Sequence, residues 1–445
     1  MTDDGWLYAL GLASVASGVA GLLVPLYLVR IGAGAPALGV SASLASLVSA
    51  PGGVLAGRYA DRTGNRRGVV LVALAVLVAT IAVFPFLRSI SAVIAVNALL
   101  GFALAAVGPV VTMLVVAGAP QDRWNGRIAR LNTFQGYGST AGLVIGAAWT
   151  GTVAAIASPG LAQRSLFVFA AVVGLASVIL ARRSMPRPDG FDVGPRRSGR
   201  VASIVADSNR RVRDATFAFG SNRVYWGLRS LTRQRLGDLR RSLPTALWVY
   251  FAAAFVFFTG FATFWAPLPL YLTEVGLASG PVFALYLINN VASAVLFEGA
   301  GRVSARYDVR LVQGGALGLR ATAFVGVSVL GVLGVGVATG GTTTALVAVA
   351  GLLAVVGLTW AFIAVAGTTI VTRYAPGRSR GAILGTYAAL SAVGGSLGSL
   401  LGGAVAAVSF VLAFLLAASL VFVGSALVLA ARRVSAPEPS ASETP

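Results

Sequence analysis

The sequence contains no cysteine, no histidine and no lysine. Without cysteine there is no disulfide and no thiolate chemistry, and without histidine the usual zinc and haem ligands are missing too. Acidic side chains are scarce, 14 in 445 residues, against 34 basic ones, all arginine. Charged residues make up 11% of the chain, less than half the roughly 25% of a soluble globular protein. Catalysis inside a membrane needs a cluster of acids, bases or metal ligands at membrane depth, and the sequence supplies none there. No ATP-binding segment is visible. The N-terminus carries Asp3 and Asp4 where a cleavable signal would be basic, so the first apolar run is expected to be kept. These absences point away from an enzyme and from any cofactor.

What remains is apolar. Hydrophobic residues reach 57%, glycines number 55, and the mean hydropathy is +0.85. Uncharged runs cover 5–29, 31–57, 68–87, 89–121, 131–163, 165–181, 242–273 and 275–297, and the runs 321–372 and 381–431 are each long enough for two crossings. About 18–20 apolar residues span a bilayer as a helix. The sum is an all-α integral membrane protein with twelve spans, six before and six after a polar stretch.

The arginines sort by side. With the N-terminus inside, Arg58, Arg62, Arg66, Arg67, Arg123, Arg127, Arg130, Arg302, Arg306, Arg310, Arg373, Arg378, Arg380, Arg432 and Arg433 fall on the inner side, and only Arg30, Arg88 and Arg164 fall outside. The positive-inside rule then puts both termini in the cytoplasm. The formal charge of +20 is explained by this topology and by contact with anionic lipid headgroups. Nucleic acid is not an expected partner, because no basic domain interleaved with aromatics is present.

The chain also repeats itself. Under a shift of 244, "PLYL" at 25–28 recurs at 269–272, Gly32 meets Gly276, Gly57 and Arg58 meet Gly301 and Arg302, and Arg62 meets Arg306. Under a shift of 256, Ala119 and Pro120 meet Ala375 and Pro376, and Gly138, Gly142 and Gly146 meet Gly394, Gly398 and Gly402. The change of shift implies an insertion near 336–344. Two parallel six-span halves related by an axis along the membrane normal are therefore expected. The division is a first bundle over 1–181, a basic cytoplasmic linker over 182–243, a second bundle over 244–433 and a disordered tail over 434–445. The linker's later part, with Val224, Leu228, Leu231 and Leu239 near helical spacing, suits either an interfacial amphipathic helix or a solvated coil.

Between the second and third spans lies "GRYADRTGNRR" (57–67). It resembles the signature of the major facilitator superfamily, with Gly57, Asp61, Arg62, Gly64, Arg66 and Arg67 at the defining positions and Asn65 at one that is commonly basic. The resemblance implies a conformational latch. Asp61 at the inner end of the second span would meet the inner end of the eleventh and pair with an arginine such as Arg130 or Arg380. Gly57 and Gly64 would allow close approach and a tight turn. The second copy, "GRVSARYDVR", has Ala305 in place of the aspartate and Asp308 three residues later, so the latch is expected in the first half only. Family members that couple to protons carry an arginine in the fourth span where this chain has Asn97. In the fifth, the glycine-rich stretch after Tyr137 is similar to an antiporter signature but has Leu143 at its proline.

Polar groups inside spans mark candidate sites. Asn289 and Asn290 fall near the middle of the eighth span, about 100° apart on the helix. Asn132 and Gln135 share a face of the fifth. With Asn97, Trp360 and Tyr387 they are the substrate-cavity candidates; interhelical hydrogen bonding is the plain alternative for each. The seventh span, "FVFFTGFATFWAPLPLYL", offers an aromatic wall for amphipathic compounds or an ordinary packing face, and Pro267 and Pro269 should distort its outer end. Glu298, if buried, could carry a proton, or else form an ion pair near the inner interface. Arg320 should snorkel to the inner surface, unless it meets an anionic substrate. Arg30 and Glu274, equivalent under the 244 shift, are expected to pair across the outer gate.

The resemblance thus implies a secondary transporter in the cell membrane, functional as a monomer and working by alternating access on a small-molecule substrate. Efflux of amphipathic compounds is the leading expectation. Uptake or facilitated diffusion of a neutral solute, or a membrane sensor that does not transport, are the alternatives.

Overall fold

The computed structural model describes residues 5–117, 120, 123–186, 244–332, 342–374 and 380–434. Among them are twelve long helices and no strand: α1 (Gly5–Arg30), α2 (Ala35–Thr63), α3 (Arg66–Val83), α4 (Ile90–Val116), α5 (Trp124–Ile156), α6 (Pro159–Ser184), α7 (Thr245–Trp265), α8 (Ser279–Arg306), α9 (Val309–Val332), α10 (Thr342–Tyr374), α11 (Arg380–Ala406) and α12 (Phe410–Val434). Eleven are long and apolar enough to cross a membrane. The twelfth, α9, carries Arg310, Gln313 and Arg320. The central linker from 187, the core of the expected insertion (333–341) and the tail from 435 lie outside the described residues.

Helix ends follow local chemistry. Gly64 adopts a left-handed φ of 68° and closes α2 through its N–H to the Ala60 carbonyl, a conformation that disfavours any residue with a Cβ. Asn65 then caps α3, its side chain accepting from Gly68 N at 2.9 Å. The asparagine that departs from the family signature is thus an N-cap. In the second half Asp308 does the same for α9, accepting from Arg310 N at 3.0 Å. Ser158 accepts from Leu161 N and Pro159 opens α6, the usual start signal. α7 stops at Trp265 and a short helix, Leu268–Glu274, continues the span. Pro267 is the cause, since it has no N–H to give; Pro25, equivalent to Pro269, sits inside an unbroken α1.

The repeat is visible atom by atom. At the end of α1, Gly32 has φ 89°, its N–H donates to Val29 O, and Ala33 N donates to Leu28 O. The second half repeats this turn 244 residues on: Gly276 has φ 89°, and the bonds run from Gly276 N to Thr273 O and from Leu277 N to Leu272 O. Both are Schellman motifs. The glycine ladders repeat as well. Gly138 lies against Gly11 O and Gly142 against Val15 O, while Gly394 lies against Phe255 O and Gly398 against Thr259 O. Missing side chains let α5 touch the backbone of α1, and α11 that of α7.

Within the first half α1 packs on α5 and α6, α2 on α4, and α3 on α4 and α6; in the second, α7 packs on α11 and α12, α8 on α10, and α9 on α10 and α12. Two long-helix pairs join the halves, α2 with α11 and α5 with α8, and α1 also touches the short helix Leu268–Glu274. Hydroxyls in these apolar surroundings mostly fold back on their own helix, as Ser14 does to Leu10 O and Thr368 to Ala364 O, leaving few donors exposed to hydrocarbon.

Candidate functional site

The seam between the halves frames the site. At the end of the bundle that carries Arg30, Gly39 of α2 meets Ser399 and Gly403 of α11, and a Cβ on Gly39 would stand 2.9 Å from Gly403 Cα. One turn further in, Ser43 Oγ and Ser396 Oγ share a buried hydrogen bond of 2.6 Å. Ser46 then donates to Ala392 O at 3.3 Å. Across the other pair, Gly146 of α5 accepts the Phe283 ring, and Gly280 of α8 lies against Ala147 and Gly151. Gln163 Nε2 reaches Ser279 Oγ at 3.0 Å. These contacts close the Arg30 end as far as mid-depth.

At mid-depth, just below that closure, the second half gathers polar and aromatic groups. Along α7, Tyr250, Phe257, Phe258, Phe261 and Phe264 are all buried. Their spacing puts Tyr250, Phe257, Phe261 and Phe264 along one flank of the helix. Phe258 meets Tyr387 of α11 at 6.0 Å between ring centroids, and Phe261 meets Trp360 of α10 at 6.1 Å. Beneath these rings lies Arg320 of α9, 3% exposed. Its guanidinium carbon stands 4.5 Å from the Phe261 centroid and 5.4 Å from that of Trp360. Nε donates to Thr359 Oγ1 at 3.2 Å and Nη2 to Val356 O at 2.5 Å. α8 joins at the same level, where Asn289 O packs on Gly357 of α10. Asn289 and Asn290 are buried, and Oδ1 of each, with Ser293 Oγ, has no hydrogen-bond partner among the described residues.

A second tier lies toward the Arg62 end. Gln313 Nε2 donates to Tyr250 Oη at 2.9 Å, and Tyr250 stacks on Tyr387 at 5.9 Å. A Cβ on Gly367 would meet all three side chains, so this glycine makes room for the cluster. Gln313 and Arg320, seven residues apart on α9, lie on the same face two turns apart.

Two of the seven cavity candidates, Trp360 and Tyr387, join the cluster, and Asn289 borders it through its backbone contact with Gly357, with Asn290 next to it on α8. Asn97 instead ties α4 to α2 within the first half, donating to Ser41 Oγ at 2.9 Å. Asn132 and Gln135 are half-buried on α5 and are not part of the cluster. Arg320 corrects the expectation of snorkelling. Its α9 packs on α10 and α12, and the side chain turns inward onto α10 and the Phe261 ring of α7 rather than running to the surface. Gln313, Tyr250 and Phe261 were not singled out; the shared face of Gln313 and Arg320 was the signal available.

The other expected groups separate. Glu298 is exposed, on the same stripe of α8 as Ile288, Val291 and Val295, so the premise of a buried carboxyl fails. Arg30 donates to Gly160 O at 2.7 Å; Glu274 is exposed, and no ion pair joins the two in this closed arrangement. At the signature loop, Gly57 and Arg66 are buried and Asp61 half-buried, with Arg58, Arg62 and Arg130 exposed. Arg67 donates to the carbonyl of Arg182 at the end of α6. Arg380 opens α11, but its side chain lies outside the described structure.

Comparison with known proteins agrees with this architecture. The family model described as Major Facilitator Superfamily matches residues 6–398. No curated protein matches the sequence. Among solved structures, a mutant of the nucleoside transporter NupG is 11% identical with a TM-score of 0.69, covering 97% of this chain and 100% of the other. A bacterial homolog of the human lysosomal transporter Spinster, inward-facing and unoccupied, is 13% identical with a TM-score of 0.66 over 97% and 96%. The human organic anion transporter MFSD10 is 17% identical with a TM-score of 0.53 over 96% and 98%.

Proposed function

The chain belongs to the major facilitator superfamily and is a multi-pass membrane transporter, and on that premise we propose that it is a secondary transporter that carries a small amphipathic solute by alternating access. The observation that carries this reading is the seam closed at one end directly above a mid-depth cluster of aromatic and amide side chains. Rocking of two like bundles around such a centre is the mechanism their parallel repeat suits. Asn289 and Asn290 supply unfilled acceptors, and Phe258, Phe261, Trp360 and Tyr387 supply apolar surface for the body of the solute.

The arginine distribution supports a cytoplasmic location for both termini and a place in the cell membrane, with the inner arginines against anionic headgroups. On that topology the closed end is the outer one. Asp61, with Arg62, Arg66, Arg67 and either Arg130 or Arg380, would then fasten the opposite end in the alternate pose, with Gly57 and Gly64 shaping the loop. Efflux is our first reading of direction and the monomer of the working unit. The family and the cluster carry no catalytic role. Uptake of a neutral solute is the second reading, favoured by the scarcity of titratable groups at mid-depth.

Proteoliposomes containing the purified chain test this. Saturable flux of aromatic amphipaths, lost in Asp61→Asn, is the expected result. Binding without flux for every solute would instead identify a sensor. Dependence of flux on an imposed pH gradient separates coupled from facilitated transport.

A further inference from the structure

Arg320 is a buried cation with no counter-ion among the described residues. The described residues contain only four acids, Asp61, Glu274, Glu298 and Asp308. Asp61 and Glu274 sit at opposite ends of the bundle, and Glu298 is exposed on α8. Asp308 precedes α9 and is roughly 18 Å from Arg320 along the helix axis. Among the described residues the guanidinium is held by a hydroxyl, a carbonyl and two ring faces. Such contacts orient an arginine and cushion it, but they leave its charge uncompensated in surroundings of low dielectric, where an opposite charge is worth most. A side chain with this cost is retained where it acts.

Resting on the transport reading above, we infer that Arg320 is the recognition site for the acid group of the solute, and that the substrate class is an organic monoanion with an aromatic or apolar body. The chemistry divides accordingly. The planar guanidinium forks onto a carboxylate or sulfonate. The rings of Phe261 and Trp360, which cover the guanidinium in this closed pose, shift aside to stack on the body of the solute. Asn289 and Asn290, on α8 at the same depth, present acceptor oxygens to any donor it carries. Loading neutralises the only charge at mid-depth among the described residues, so the filled carrier crosses its transition with no net charge there. An anion without an apolar body lacks the second half of the recognition.

Binding measured by calorimetry on the full-length detergent-solubilised protein tests the assignment, with benzoate and 2-naphthoate as probes against benzamide and 2-naphthamide. Each acid should bind at least about tenfold tighter than its amide, the effect of one charge-assisted contact, and 2-naphthoate tighter than benzoate. Arg320→Gln should bring the acid-to-amide ratio near one, and Arg320→Lys should leave part of it. Should the arginine variants fail to fold, Thr359→Val, which frees Nε from its hydroxyl and keeps the charge, should still prefer the acids. Equal binding of acid and amide by the unaltered protein, no binding of either acid, or an unchanged ratio in folded Arg320→Gln overturns the inference. Flux of the same four compounds keeps the two readings apart. Transport without acid preference sinks the anion site alone, whereas acid-selective binding without transport sinks the carrier reading alone.

Discussion

Replacing Gly39 by alanine should open the Arg30 end without loosening either bundle. The added Cβ would stand 2.9 Å from Gly403 Cα and 2.5 Å from Ser399 O. Carbon atoms in good contact lie about 3.5–4.0 Å apart, so α2 and α11 must part by roughly 0.6–1 Å. The hydrogen bond one turn inward, Ser43 to Ser396 at 2.6 Å, then stretches toward its limit. Overpacking of this kind costs about 1–3 kcal/mol. Because Gly39 touches only the opposite bundle at that point, the cost falls on the closed pose alone, and its population relative to the open one drops about 5- to 150-fold. The assay is a cross-link. The chain has no cysteine, so Ser43→Cys with Ser396→Cys introduces the only pair, and γ atoms that close need little movement to reach an S–S distance of about 2.05 Å. Oxidation should lock the parental pair and stop transport reversibly, while adding Gly39→Ala should slow bond formation. Gly21→Ala is the control, since nothing lies within 4 Å of a Cβ there. Cross-linking of the Gly39→Ala protein at the parental rate would refute the reasoning.

Other substitutions separate fold from function. Gly398→Ala drives a methyl into the backbone of Thr259 within one bundle; it should lower thermal stability by about 1–3 kcal/mol in either pose, as a shift in melting temperature, and Gly142→Ala should do the same against Val15. Asn65→Ala removes the cap of α3 and should cost about 1 kcal/mol, whereas Asn65→Asp should restore it; equal stability of all three proteins would count against the capping role. Tyr250→Phe deletes the hydroxyl that accepts from Gln313 and should destabilise by about 1–3 kcal/mol, with Gln313→Leu in the same chain recovering part of the loss in thermal denaturation.

Backbone architecture was legible because it rests on features that leave a mark in composition and spacing. Apolar runs enough for twelve spans, a duplicated "PLYL" turn and a duplicated glycine ladder each required one structural answer, and the paired Schellman turns at Gly32 and Gly276 are that answer in detail. Side-chain direction left a weaker mark. An arginine in a mid-length helix can climb to a surface or fold inward, and which it does depends on what α10 places opposite it. In Arg320 the deciding partners were Val356 O, Thr359 and the Trp360 ring, about 40 residues later in the chain, and the Phe261 ring, about 60 residues earlier. Glu298 was misjudged for the same reason, since the burial of a helical position depends on the faces its neighbours cover. Arg30 and Glu274 were matched by their equivalent places in the repeat, and α1 does touch the short helix that ends at Glu274, but neighbouring tips do not make an ion pair when Gly160 O is within reach of the guanidinium.

The two halves share a backbone plan and differ in what they place upon it. Equivalent glycines set the same helix contacts in each, so this packing is common to both. The buried arginine and the rings that cover it are not shared. In the first half Asn97 is spent on Ser41, and the position equivalent to Arg320 under the 244 shift is Val76. The residue facing Gly142 is Val15, where its counterpart Thr259 offers a hydroxyl. A duplicated scaffold needs only one half to hold the solute, because the other need supply only a wall that moves past it. Division of labour of this kind also accounts for the single aspartate of the signature loop. Asp61 stands in the first half, which carries no charge at mid-depth, while the second half spends its corresponding acid, Asp308, on capping α9. On the proposed reading, fastening by Asp61 and recognition by Arg320 fall on opposite bundles, so that a solute held by one would be released only when the other moves.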